Sequence, residues 1–557
     1  MSAPSDARVV GELGGGLARL TGGGTLTPED GESLASLIAL ATQLAADKAG
    51  MAATITAQEG RIAELAAQLA ALTARIARLQ RDLYGPRSEK RRDTADDDAH
   101  TDMARRRPGG RPGRRKARGD AVNDTGLRFP DKAPVIDITV TPPEIEGLAE
   151  DEYEVISERV HCRISTLDWR HVVIRYRHVT VKIRRTGMLA GAPARESVFK
   201  NSCADVSFVA GLIIDKFLWH LPLYRQHRML ADAGITVSRG SLSLWVGRAV
   251  ALLKPVHDAQ WASVLESAVI QMDETPVRAG RHPGRPGAMR KGYFWPVLGD
   301  RGEVVFPFAT SRRHGHAAGI LGDYAGTLVS DGYGAYGAYV AARDGAVTHQ
   351  GCWIHTRRNF REQKDSHPEL AGAALKLIGA IYTIEEEIRG RPPAERLAVR
   401  RTRSRKAVDR FWDWCGRAPA DPVLTPRHPI RRAIDYATSR RATLEVFPGD
   451  PDVPPDTNLV ENVIRNPKLG QKNWLFAWTE LGAEHIGIAN GLIATCRMQG
   501  VDPRIWLTDV LLRIAHHPAG RVGELTPRRW KTLFADDPMT SDVTPAVRLQ
   551  AAAIGAE

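Results

Sequence analysis

Two apolar runs in this chain stop on an aspartate, and the elements between them narrow the folds available. SAVIQMDETPV reads as a strand ending at Asp273, and KGYFWPVLGD and EVVFPFATS follow as two more strand-like runs separated by Gly and Asp turns. Three strands in succession make a meander. A helix-compatible stretch from His314 to Tyr324 leads to TLVSDGYGAY, a further strand that stops at Asp331, and AVTHQGCWIH reads as a fifth strand.

This β-β-β-α-β order is that of RNase H-like folds, in which the two aspartate positions lie side by side. A third carboxylate is expected on a later helix, and DTNLVENVIRNPKLGQKNWLF supplies Glu461 on a helix capped near Asp456 or Thr457, with Val460, Val463 and Ile464 as its apolar face. Two magnesium ions about 4 Å apart need such an oxygen-only cage, since the hard cation takes near-octahedral oxygen ligands. Manganese is expected to substitute. Each acid alone says little, because strand-end Asp and helical Glu residues are common; the weight lies in their joint setting, with Arg465, Lys468 and Lys472 placed to reach phosphate. Spacing alone leaves Asp456, Glu274 and Glu480 as rival acids.

A formal charge of +12 favours a polyanionic partner, nucleic acid or an anionic membrane surface, and the membrane reading is the weaker. The best apolar run, Val206 to Ile214, is closed by Asp215 and Lys216, too short to span a bilayer, and there is no charged-then-apolar leader. A cytoplasmic, nucleoid-associated protein is the expectation. Cys162, Cys203, Cys352, Cys415 and Cys496 are scattered without a CxxC, which speaks against disulfides and a closed zinc knot.

Upstream, residues 1–28 read as disordered, and one heptad register runs from Leu34 to Leu83 within 29–84. It predicts a coiled-coil homodimer or higher oligomer, with a helical hairpin folded near Gly50 or Gly60 as the alternative. The linker 85–128 contains RRRPGGRPGRRKAR, whose Arg106, Arg107, Arg111, Arg114 and Arg115 around Gly-Arg-Pro suit either a minor-groove arm of AT-hook type or a solvated linker. Residues 129–200 alternate apolar and polar residues as a small β-rich module. In 201–267, YRQHRMLADAGITVSRGSLSLWVGRAV has the shape of a helix-turn-helix, with Gly234 in the turn, Ser238 as N-cap, Arg239 opening the second helix, and Leu242 and Trp245 inward; two ordinary packed helices fit as well. The catalytic domain is expected over 268–365 and 451–516. The separation of 130 positions from Asp331 to Glu461 leaves room for a helical insertion, 366–450, with a basic face, and 517–557 reads as a tail.

In order along the chain, LYGPRSEK, HLPLYRQ, DETPV at Asp273, SDGYGAY at Asp331, CWIHTRRNF from Cys352, NLVENVIR, GQKNWLFA and GVDPRIWLTDVLLRI resemble the blocks of TnpC-type transposases of the insertion sequence 66 family, a branch of the DDE transposases. The resemblance implies that Asp273, Asp331 and Glu461 form the catalytic, metal-holding triad of an enzyme that binds terminal inverted repeats, cuts 3′ ends and joins them to target DNA. It also implies accessory proteins from the same element. Cys352 and His355 resemble a Cys-x-x-His signature found after the second Asp in several transposase groups, read here as structural rather than zinc-binding, with Arg357 and Arg358 as phosphate contacts. Three departures stand out: residues 129–200 keep only Cys162 of a cysteine-rich module, and Asn462 and Gln471 stand where arginine is common.

Overall fold

The computed structural model describes residues 58, 60, 61 and 127–545, the latter without 131–132, 168–169, 196, 201, 283, 286 and 421–423. The chain divides into two units, 1–90 and 91–557. The coiled-coil register and the basic arm with Arg106, Arg107, Arg111, Arg114 and Arg115 lie outside the described residues.

The second unit is mixed α/β, with several sheets and many helices. Its first sheet holds β1 (Val135–Val140), β2 (Tyr153–Leu167), β3 (Arg170–Ile183) and β4 (Leu189–Gly191) in the order β1-β3-β2, with β4 also on β3. The alternating runs VIDITV and HVVIRYRHVTVKI supply β1 and β3, whose apolar face buries Ile136, Val172, Ile174 and Tyr176.

Four helices follow: α1 (Val206–Phe217), α2 (Leu223–Asp232), α3 (Arg239–Leu252) and α4 (Lys254–Leu265). Ser238 caps α3 by accepting from Ser241 N, and Leu242 and Trp245 are buried. Gly234 between α2 and α3 has φ +79° and lies where an added Cβ would meet Pro130 Cγ at 2.6 Å, so the turn excludes any other residue on two counts.

The expected three-strand meander forms, but each strand is broken. β5 (Val269–Met272) gives way after Asp273 and Glu274 to β6 (Thr275–Arg281), β7 (Met289–Phe294) gives way at Pro296 to β8 (Val297–Gly299), and β9 (Val304–Val305) gives way at Pro307 to β10 (Phe308–Ala309). Proline cannot donate to a ladder, so two prolines one pair apart on neighbouring strands bend the meander and share it between sheets. Asp273 N donates to Pro296 O at 3.4 Å and Trp295 N to Pro307 O at 2.9 Å along this fold line. After α5 (His314–Leu321) come β11 (Gly326–Ser330), α6 (Gly334–Ala341) and β12 (Val347–Gly351). One sheet has the order β12-β11-β5-β8-β9, parallel across β12, β11 and β5 and antiparallel beyond; the other is β10-β7-β6.

The stretch between β12 and the helix that opens at Asn458 is helical: α7 (Trp353–Arg361), α8 (Pro368–Glu387), α9 (Pro393–Val399), α10 (Arg405–Arg417), α11 (Pro429–Thr438) and α12 (Arg441–Leu444). Trp353 anchors it against Phe411, Trp412 and Phe447, and this core is continuous with Val269 and Val329 of the sheet. One arginine of this basic stretch turns away from solvent. A π-helical stretch, Arg400–Ser404, turns Arg400 inward, where Glu385 and the carbonyls of Asp450 and Val453 take its guanidinium.

The chain continues through α13 (Asn458–Trp474), α14 (Glu480–Met498), α15 (Pro503–Arg513) and α16 (Pro527–Leu533). The tail expected from residue 517 is packed as far as Val543, which is 1 % exposed. Few apolar residues announce it, yet Trp530 buries its ring and donates to Asp509, and Ser541 reaches Asp205.

Candidate active site

Strand register brings the first two acids together. Gln271 of β5 pairs with Val329 of β11, so two residues further on Asp273 and Asp331 leave the carboxyl ends of adjacent parallel strands at matching heights. Oxygens of Asp273, Glu274 and Asp331 all lie within 4.8 Å of one another. Asp331 accepts from Tyr333 N at 2.8 Å, which fixes its rotamer at the entry to α6. Burial, then the neighbouring Glu274, Asp331 and Glu461, push the Asp273 carboxyl up to about 7, against a hydrogen bond from Glu274 N.

Glu461 arrives from the first turn of α13. Thr457 is the N-cap, Asp456 Oδ1 accepts from Asn458 N, and Val460 N donates to Gln271 Oε1 at 3.4 Å, which ties the helix start to β5 two residues before Asp273. Thr457 Oγ1 donates to Glu461 Oε1 at 3.1 Å. Cys352 and His355, at the start of α7, stand on the other side: their ligand atoms and a Glu461 oxygen lie within 4.8 Å of one another, with His355 Nδ1 3.8 Å from Glu461 Oε1. Burial pushes the Cys352 thiol up to about 12.

The rival acids are occupied. Glu274, its side chain 2 % exposed, accepts from Arg312 at Oε1 and from Tyr336 at Oε2. Glu480 pairs with Arg290 on β7, and Asp456 serves the α13 cap. Arg312 also lies 4.1 Å over the Tyr333 ring, and with Arg313, His314 and Tyr333 it lines an open groove of about 510 Å³ at the start of α6. The sequence pattern does not single out Arg312, and it offers Thr457 only as a helix cap. The first lies in an Arg-Arg pair just before α5, and the second sits one turn ahead of Glu461, where side chains four apart meet.

Among the expected DNA contacts, Arg239, Arg358, Arg465, Lys468 and Lys472 are exposed and Arg357 is half-buried. Arg465, Lys468 and Lys472 follow Glu461 at steps of four, three and four, one continuous stripe of α13. Arg358 is engaged by Glu362 at 3.0 Å, and Arg239 lies 5.8 Å from the Tyr224 ring. No helix among the described residues is long and apolar enough to cross a membrane.

Residues 201–485 match the family model described as Transposase IS66 family, and residues 491–528 match the IS66 C-terminal element. The chain belongs to the IS66 family of transposases. It is similar to three proteins of Sinorhizobium fredii (strain NBRC 101917 / NGR234), each described as uncharacterized. y4hP is 32% identical over 354 residues, 59% of this chain and 63% of that protein; y4jD is 30% identical over 364 residues, 62% and 69%. y4qI is 28% identical over 545 residues, covering 90% of this chain and 98% of its own length. The chain thus spans less than two thirds of y4hP.

Proposed function

We propose that the protein is a DNA transposase that binds the terminal inverted repeats of an insertion sequence, cleaves the 3′ ends and transfers them to target DNA. Asp273, Asp331 and Glu461 are its catalytic residues, set in an RNase H-like domain. The observation that carries the reading is the register-matched pair Asp273 and Asp331 at adjacent parallel strand ends, with α13 tied to β5 so that Glu461 adds to the field at Asp273. The strand order β12-β11-β5-β8-β9, three antiparallel strands followed by two parallel ones, supports the fold assignment.

The oxygens gathered by Asp273, Glu274 and Asp331 suit hard divalent cations, while Glu461, grouped with Cys352 and His355, would complete the cage from the α13 side. Two magnesium ions, or manganese in their place, would there activate the attacking water or 3′-hydroxyl and stabilise the leaving 3′-oxygen. The remaining work is done by the chain. Tyr333 N holds Asp331 in one orientation, Thr457 holds Glu461, and Arg312 and Tyr336 engage both oxygens of Glu274, whose charge still raises Asp273. Arg465, Lys468 and Lys472 extend from Glu461 as a track for the phosphate backbone, and Arg239, Arg357, Arg358 and the basic arm give further contacts.

Joining two ends requires two active sites at a fixed separation, which is the role assigned to dimerisation through 29–84. Accessory proteins of the same element belong to the same reading, as does a place on the nucleoid. The test is incubation of the purified protein with labelled terminal-repeat DNA and Mg²⁺. Nicked and strand-joined products are expected; binding without nicking would make it a DNA-binding repressor, and nicking without joined product a nuclease.

A further inference from the structure

Beyond the three acids, the contacts around Cys352 form a connected path that the chemistry above leaves without a task. Cys352 closes β12 and is the N-cap of α7, and Trp353 N donates to Pro455 O at 3.0 Å, so the start of α7 is stitched to the loop that starts α13. Thr457, fully buried, sits at that seam. Its hydroxyl lies 3.1 Å from Glu461 Oε1 and 3.2 Å from Cys352 Sγ, and its backbone N–H donates to the same sulfur at 3.4 Å.

We infer that Cys352 and Thr457 form a hydrogen-bond relay that aims the Glu461 carboxylate, so that the Cys-x-x-His pair positions a metal ligand and does not itself hold a metal; this rests on the role of Glu461 proposed above.

The donor order follows from counting protons. A carboxylate only accepts, so the single hydroxyl proton of Thr457 goes to Glu461 Oε1, and the hydroxyl oxygen is left to accept from the Cys352 S–H. The sulfur in turn accepts from Thr457 N. Every member of the path is satisfied, and the carboxylate is held through one oxygen only. His355 Nδ1 is buried, makes no hydrogen bond and faces that same oxygen at 3.8 Å, beyond bonding distance, so it closes the back of the carboxylate. The other oxygen, Oε2, is left to meet a cation. Cys352 is poorly placed to be a metal ligand itself, because its proton goes to Thr457, its sulfur accepts from the backbone N–H groups of Thr457 and His355, and it is 4 % exposed. Cys352, Thr457 and His355 are therefore positioning residues.

Orienting partners of metal ligands typically change metal affinity by about 10-fold to 100-fold when removed. The experiment measures Mn²⁺ binding to the full-length protein by loss of the free-ion paramagnetic resonance signal, alongside the Mg²⁺ concentration giving half-maximal cleavage of terminal-repeat DNA. Thr457→Val, which keeps the shape and removes the hydroxyl, is expected to weaken both by about tenfold or more with DNA binding unchanged, and Thr457→Ser to restore both to within about twofold. Unmoved midpoints in Thr457→Val overturn the relay. Should Thr457→Val fail to fold by circular dichroism, Cys352→Ala reads the same path: a weakening of a few-fold supports it, and no change overturns it. A Co²⁺ titration of the wild type that develops thiolate charge-transfer absorption, lost in Cys352→Ala, would also overturn it by making Cys352 a ligand. Failure of the underlying reading looks different, since wild-type protein would then not cleave or Glu461→Gln would still cut, whereas an active wild type, an inactive Glu461→Gln and an unaltered Thr457→Val defeat the relay alone.

Discussion

The guanidinium of Arg440, carried between α11 and α12 of the helical insertion, donates through Nη2 to the carbonyl of Gly332 at 3.2 Å. Gly332 follows Asp331 directly, and a Cβ placed on it would lie 2.3 Å from Arg440 Nε, so the insertion is seated hard against the loop that presents the second acid. Arg440 is itself braced, 4.0 Å over the Tyr436 ring and bonded to Tyr436 O. The insertion thus acts as a clamp on the candidate active site as well as an added domain.

Removing that clamp should loosen Asp331 without unfolding the protein. Arg440→Ala is expected to lower the cleavage rate about tenfold, the loss of about 1.4 kcal/mol of positioning, with the thermal midpoint little changed. Single-turnover cleavage assays check it. A rate equal to wild type would mean that the Asp331–Tyr333 hydrogen bond holds the loop by itself.

Along α13 the exposed cations share a face with Glu461 and point to a backbone track. Replacing Arg465, Lys468 and Lys472 together by alanine should lower the slope of log binding constant against log salt by about 2.7, three phosphate contacts at about 0.9 each. Binding titrations between low and moderate salt measure this. An unchanged slope would take α13 out of the DNA interface.

For stability the sharpest case lies in the C-terminal region. Asp509 is fully buried and accepts from Arg513 Nε and Nη2, from Trp530 Nε1 and from Met539 N, all between 2.7 and 2.9 Å. Asp509→Ala leaves these donors without an acceptor and is expected to cost about 3 kcal/mol, seen as a lower urea midpoint of the full chain. A midpoint within error of wild type would mean that water replaces the carboxylate.

Assembly is expected to depend on the heptad segment. Deleting residues 29–84 should leave a monomer that binds one end and forms no paired-end complex, as judged by light scattering and gel shift. An unaltered mass would assign dimerisation elsewhere in the chain.

Much of the region around the acids was legible because its signals are local. The apolar runs VIQM and TLVS are short and uninterrupted, so their strands and the positions of Asp273 and Asp331 at their ends can be read directly. Ser238 before a helical run and Gly234 at a turn are legible for the same reason. What was lost depends on partners remote in the chain. Pro296 and Pro307 bend the meander only because they fall one pair apart on adjacent strands, which no single strand reveals. Pro467 lies inside α13, yet the helix continues past it to Trp474, carried by burial of Val460, Ile464 and Pro467. Arg312 gains its role from Glu274, and Trp530 from Asp509, through tertiary contacts that leave no periodicity behind. The rank of Glu274 among rival acids likewise could not be set until Arg312 and Tyr336 were seen to occupy both of its oxygens.

The central claim is that Asp273, Asp331 and Glu461 act together on DNA. Its most direct test is cleavage of labelled terminal-repeat duplex by Asp273→Asn, Asp331→Asn and Glu461→Gln, each assayed beside its affinity for the same duplex. Every one is expected to lose cleavage by about 10³-fold or more while binding as wild type does, since each carboxamide keeps the shape and removes the charge that holds the cations. Near-normal cutting by any one of the three would contradict the account.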